Sequence, residues 1–160
     1  MNIQKLVSRL VSDESCKTTP ARGLPDLPEG LELPSDLRAF YETLGGADLF
    51  PDAKYSMELV SPDDFLRANP IIVGEECQED ISFDWFIVGR SGGQHVTIDL
   101  HPDRHGRCYD SFWDCHGVAG ECAIIALSFS DLLHRLLEAG GTRWFWLCDD
   151  FAPLGDAYDE

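Results

Sequence analysis

Basic side chains are scarce in this chain: 12 lysines and arginines stand against 29 aspartates and glutamates, giving a formal net charge of −17 over 160 residues. Such a surface repels nucleic-acid phosphates and anionic lipid, so direct binding to either is not expected. Long apolar runs are absent too; no stretch approaches the ~20 residues that a membrane-spanning helix needs. The six cysteines, Cys16, Cys77, Cys108, Cys115, Cys122 and Cys148, include no C-x-x-C pair. No secretory signal precedes them, and the opening Met1–Val11 stretch is amphipathic rather than continuously apolar. Reduced thiols in a cytoplasmic protein are therefore expected. There is no internal repeat and no low-complexity tract.

The residues that are present suit one domain over 1–160, long enough for a sizeable core. An apolar fraction of 44% with 11% aromatics argues for folding rather than disorder. Ile3, Leu6, Val7, Leu10 and Val11 repeat at helical spacing, and the segment 13–32, with three prolines and two glycines, reads as loop. A second helix is expected over Leu33–Leu44, with Pro34 in its first turn and Gly45 as the left-handed stop. Gly45–Asp48 then turns the chain toward a strand near Tyr55–Val60. Ser61-Pro62-Asp63-Asp64 reads as a helix start, and Pro70 as that helix's end. Asp84–Gly89 has the look of a buried strand, and Ser91-Gly92-Gly93 of a hairpin turn into Gln94–Leu100. In that strand Val96, Ile98 and Leu100 alternate with His95, Thr97 and Asp99, which predicts one buried and one wet face. Cys122–Leu127 reads as a further apolar strand or core segment. The last helix spans Ser128–Ala139, with Ser128 and Asp131 at capping-box spacing and Gly140-Gly141 as the stop. Arg143–Cys148 is aromatic enough to be a final strand or a clamp on the core. This order predicts an α+β fold, mainly an antiparallel sheet flanked by helices.

Several of these pieces, in this order, resemble the SUKH superfamily, the Smi/Knr-like domains of bacterial immunity proteins and fungal cell-wall regulators. The resemblance begins with Leu33-Pro34-Ser35-Asp36-Leu37-Arg38-Ala39-Phe40 and Gly45-Gly46, and continues through Phe86–Gly93 and Val96–Leu100. It ends with Trp113–Gly117 and Ala126–Leu133, and is strongest over 31–137. The chain has Gln94 where the family often carries Asp after the glycine turn, and the segment after Gly141 has no counterpart. The resemblance implies a Smi/Knr-like domain that works without catalysis, binding and neutralising a cognate toxin, often a nuclease. A basic toxin would suit the charge, since opposite potentials steer two proteins together. The candidate contacts are Glu75, Glu76, Glu79 and Asp80 in an acidic loop, with Asp149, Asp150 and Asp156 in the acidic tail 149–160.

Two other readings remain open. One is an intracellular regulator or scaffold of the same fold with no toxin. The other is a small metal-dependent enzyme, since His101, Asp103, His105, Cys108, Asp114, Cys115 and His116 are close in sequence and of zinc-ligand type. Their spacing fits no standard zinc pattern, and a Pro-, Asp- and Gly-rich turn accounts for them equally. Cys115-His116 suggests a nucleophile beside a base, but such pairs usually assemble across a fold. Ser91-Gly92-Gly93 lacks the lysine of a phosphate loop. No catalytic residue, metal or cofactor is therefore expected. The tryptophans read mainly as core, with one or two available to anchor a partner.

Overall fold

A single meandering sheet organises the computed structural model, which describes residues 2–159; Met1, and Glu160 of the acidic tail, lie outside the described residues. Its strands are β1 (Lys17–Pro20), β2 (Leu44–Leu49), β3 (Met57–Leu59), β4 (Trp85–Ser91), β5 (Gln94–Asp99), β6 (Cys108–Asp110) and β7 (Ile124–Ala126). They lie side by side in chain order, every pair antiparallel. The helices are α1 (Ile3–Ser12), α2 (Ser35–Thr43), α3 (Ala68–Ile72) and α4 (Phe129–Ala139). The architecture is α+β, with an antiparallel sheet flanked by helices.

Local signals decide several elements. Asn2 caps α1 by accepting from the Gln4 and Lys5 amides, and Ser128 caps α4 by accepting from Asp131 N–H (3.0 Å). Gly140 ends α4 in the left-handed conformation. Gly92 and Gly93 both have positive φ, the requirement of the tight turn that joins β4 to β5. Helices α1, α2 and α4 bury Leu6, Leu10, Leu37, Phe40, Phe129, Leu132 and Leu133 in the main core with Phe86, Val96 and Ile98. Asp36 ties two of them together: its Oδ2 accepts from both the backbone and the hydroxyl of Ser130 (2.8 and 2.9 Å).

Elsewhere the structure departs from the expectations. The 13–32 loop contains β1, paired with β2 from Lys17 to Pro20. Gly45 does not stop α2. The helix ends at Thr43, Leu44 is already extended, and Gly45 and Gly46 belong to β2. The glycine serves a close approach instead, since a Cβ on Gly45 would collide with the carbonyl oxygen of Pro20. Pro34 precedes the first turn as the N-cap. Pro62–Asp64 forms only a 3₁₀ turn, and Pro70 lies inside the short α3 near its start rather than closing a helix. The wet face expected of β5 is dry over most of its length: Thr97 and Asp99 are fully buried, and only His95 keeps partial contact with solvent. On that side of the sheet Trp85 of β4, Tyr109 of β6 and Ile124 of β7 form a second apolar cluster with Cys122, to which the tail adds Ala157. Asp99 survives burial because four donors reach it. Trp85 Nε1 (3.1 Å), the Tyr109 hydroxyl (2.6 Å) and Arg104 Nε (2.8 Å) bond Oδ2, and His101 N–H bonds Oδ1 (2.9 Å). Arg143–Cys148 is a clamp and not a strand: a 3₁₀ turn at Phe145–Leu147 buries Phe145 and Trp146, and Trp144 stacks on Trp146.

Candidate functional site

Three stretches of the sequence, 68–89, 108–134 and 144–160, contain no lysine or arginine. The fold stitches parts of all three together, and the joint is a chain of polar side chains that is buried from Thr97 to Ser82 and reaches the surface at Asp80. His116 occupies its centre. Its Nε2–H donates to Asn69 Oδ1 (2.6 Å), and its Nδ1 accepts from the Ser111 hydroxyl (2.9 Å), which in turn bonds Thr97 Oγ1 (2.8 Å). Asn69 Nδ2 passes the connection on, donating to Ser82 Oγ (2.9 Å) and to the carbonyl of Glu76 (3.3 Å). Ser82 then donates to Asp80 Oδ2 from its hydroxyl (2.5 Å) and its amide (3.0 Å), and the Tyr158 hydroxyl donates to the same oxygen (2.8 Å). The loop after β6, the acidic loop after α3 and the tail are thus one bonded unit.

The protonation states follow from this arrangement. Burial pushes the His116 imidazole down to about 4, against the pull of Asp80, so the ring is neutral with its proton on Nε2. Hydrogen bonds from Ser82 and Tyr158, helped by His116, outweigh partial burial and hold the Asp80 carboxyl below its usual range. The Tyr158 phenol is raised, by burial first and then by Asp80. Asp110, buried at the end of β6, is raised by the loss of water.

The expected contact residues divide between two places. Glu75, Glu76 and Glu79 are exposed, and Asp80 anchors their loop. Asp156 turns back into the molecule. Its carboxylate accepts from Gly120 N–H (3.0 Å), Cys122 N–H (2.9 Å) and Tyr158 N–H (3.0 Å), and its backbone bridges Ala123. Asp149 and Asp150 are exposed but belong to neither network. Asp150 pairs with Arg143 (3.5 Å) beside an open groove of about 520 Å³ that His134, Arg135 and Glu138 also line. Residues that sequence reasoning did not single out, Asn69, Ser111 and Tyr158, make the joint. Nothing local marks Asn69 and Tyr158, whose partners His116 and Asp80 lie 47 and 78 positions away.

The chemistry considered for Cys115 and His116 does not assemble. Both imidazole nitrogens are engaged, neither by Cys115, whose thiol faces Asp114 Oδ1 (3.5 Å) and is pushed up to about 12 by burial and the nearby carboxylates. Ser111–His116–Asn69 has the order of a hydrolytic triad, yet Ser111 is fully buried and the ring stands edge-on against Trp85. A nucleophile there would have no space in which to meet a substrate. His101 Nδ1 accepts from Asp103 N–H (3.1 Å) as part of a turn. Among the described residues no group of three or more His, Cys, Asp or Glu is arranged to hold a metal ion, and no helix is long and apolar enough to cross a membrane.

Comparison with known proteins agrees with the fold. The immunity protein YokJ of Bacillus subtilis (strain 168) is 51% identical over 160 residues, a span covering 99% of this chain and 97% of that protein. A sequence profile of the SMI1 / KNR4 family (SUKH-1) matches residues 27–135, from just before α2 into α4. With a relative that close along nearly its whole length, and a profile covering most of its sheet, the chain belongs to the SMI1 / KNR4 family (SUKH-1).

Proposed function

We propose that this protein is a non-enzymatic immunity protein that binds a cognate toxin and neutralises it by occupying it, and that the toxin presents a basic surface, as a nuclease does to its phosphate substrate. The observation that carries this reading is the 51% identity to a protein named as an immunity protein. The charge supports it independently. Glu75, Glu76 and Glu79 project from a loop with no lysine or arginine nearby in sequence, so their field is available to an incoming cation. Their loop is pinned through Asp80 and Ser82, which lowers the cost of ordering it on binding. Action inside the cell that must be protected, the cytoplasm, follows from the same reading.

Coexpression tests it. A toxin encoded by the gene adjacent to this one should arrest growth alone and not when this protein is coexpressed. Purified, the pair should associate in a way that weakens as salt rises. Reversing two charges, Glu75→Lys with Glu79→Lys, should slow association by about tenfold. Growth arrest that persists with the wild-type protein present sinks the reading, and consistent absence of any adjacent toxin gene favours the regulatory alternative.

A further inference from the structure

Trp113 has no role in the core or in the polar joint. The residue is 76% exposed, more than any other large apolar residue of the described chain. The loop that carries it is nonetheless held firmly. Trp113 N–H donates to Gln94 Oε1 (2.7 Å), Phe112 N–H to Asp110 Oδ1 (3.1 Å), and Cys115 and His116 both bond back to the Phe112 carbonyl (2.9 and 3.0 Å). Phe112, on one side, meets Trp144 and Trp146 edge-on. His116, on the other, is fastened to Asn69 of α3, after which Ile71 and Val73 are exposed; Val118 is exposed farther along the Trp113 loop. An indole presented on a rigid loop loses little freedom when covered, which is the property of an interface anchor.

Charge says what covers it. Glu75, Glu76, Glu79, Asp114 and Glu121 lie on the same joined segments, and among the described residues none of them enters an ion pair. A second copy of this chain, itself at −17, is repelled by these carboxylates, and so is an anionic membrane. From these observations we infer that Trp113 is the anchor of the partner interface, entering an apolar socket on the toxin whose edge is lined by lysine and arginine. The inference rests on the immunity reading and deepens it by separating two tasks: the carboxylates bring the toxin in, and the indole keeps it.

The test uses the full-length protein and the toxin encoded beside it, with three chains compared: wild type, Trp113→Ala, and Glu75→Lys with Glu79→Lys. Trp113→Ala should raise the dissociation rate by about thirtyfold. It should leave the association rate within about twofold and its salt dependence intact. Its melting temperature should match the wild type, because the side chain removed is exposed. The double charge reversal should do the reverse, slowing association and flattening its salt dependence. Since Trp85 and Trp146 are buried and Trp144 half-buried, acrylamide quenching of the free protein reads mainly Trp113, and the complex should suppress it. Wild-type binding that survives Trp113→Ala unchanged, or an indole still open to quencher in the complex, overturns the inference while leaving the immunity reading standing. No binding by the wild type removes both.

Discussion

At His116 each ring nitrogen has one partner, and the geometry satisfies a neutral ring. A folded-state value lowered to about 4 from 6.5 means that the unfolded chain takes up a proton first as pH falls. Stability contributed by the neutral ring is then complete above pH 6.5 and is lost on descending toward 4, by about 3 kcal/mol in all. His95, also lowered by burial, acts in the same direction. Asp80, lowered from 3.8, adds its loss only below that value, and the raised Asp110 opposes by protonating first in the folded state. Changing His116→Gln removes one titration and leaves the rest. Urea unfolding at pH 7, 5.5 and 4.5 should show a shallower decline in the variant, though it starts from a lower stability; parallel declines would refute the assignment. The adjacency of Cys115 and His116 was plain in the sequence. Their separation was not, because Asn69, the ring's true partner, lies 47 positions away.

Among the elements, those set by neighbouring residues were legible and those set by distant backbone were not. Ser128 with Asp131, Gly140, and the Gly92-Gly93 pair each act on their own turn, and the structure has them where spacing put them. Gly45 has the same appearance as a helix stop, yet it answers to Pro20, which crosses it from β1. The dry side of β5 has a similar cause: alternation in Gln94–Asp99 reports the strand, while Thr97 and Asp99 are buried against side chains from other elements, Ser111 on Thr97, and Trp85, Arg104 and Tyr109 on Asp99. The two uses of glycine predict different costs. Gly45→Ala should destabilise by about 1–3 kcal/mol through overpacking and should speed amide exchange along β1. Gly140→Ala, with open space around it, should cost about 1 kcal/mol for its left-handed backbone alone. Equal losses measured by urea unfolding would show that crowding at Pro20 relaxes freely.

For the whole molecule, the acidic tail turns out to be two things. Asp149 and Asp150 are exposed, whereas Asp156 is a fastener whose carboxylate holds three backbone N–H groups. Composition reveals the charge of this segment and cannot distinguish those roles, because an aspartate that meets solvent and one that meets amides look alike in sequence. Asp156→Ala should therefore act on the fold, costing about 2 kcal/mol as the Cys122 and Gly120 amides lose their acceptor. Faster amide exchange at those two positions, with toxin affinity preserved in the folded fraction, is the expected result. Unchanged stability together with lost affinity would return Asp156 to the contact surface. The net charge and the acidic loop were visible from the start; that the loop, the Trp113 loop and Tyr158 share one joint required coordinates.

The in-order arrangement of the seven strands also bears on how the protein is made. Each strand emerging from a ribosome finds its neighbour already in place, so the sheet can grow as it is synthesised. Tyr158 reaches back across 78 positions to Asp80, and Ala157 covers Trp85 and Tyr109, only after all of these strands have been translated. A nascent chain can therefore hold its paired strands before Tyr158 arrives to close the joint at Asp80.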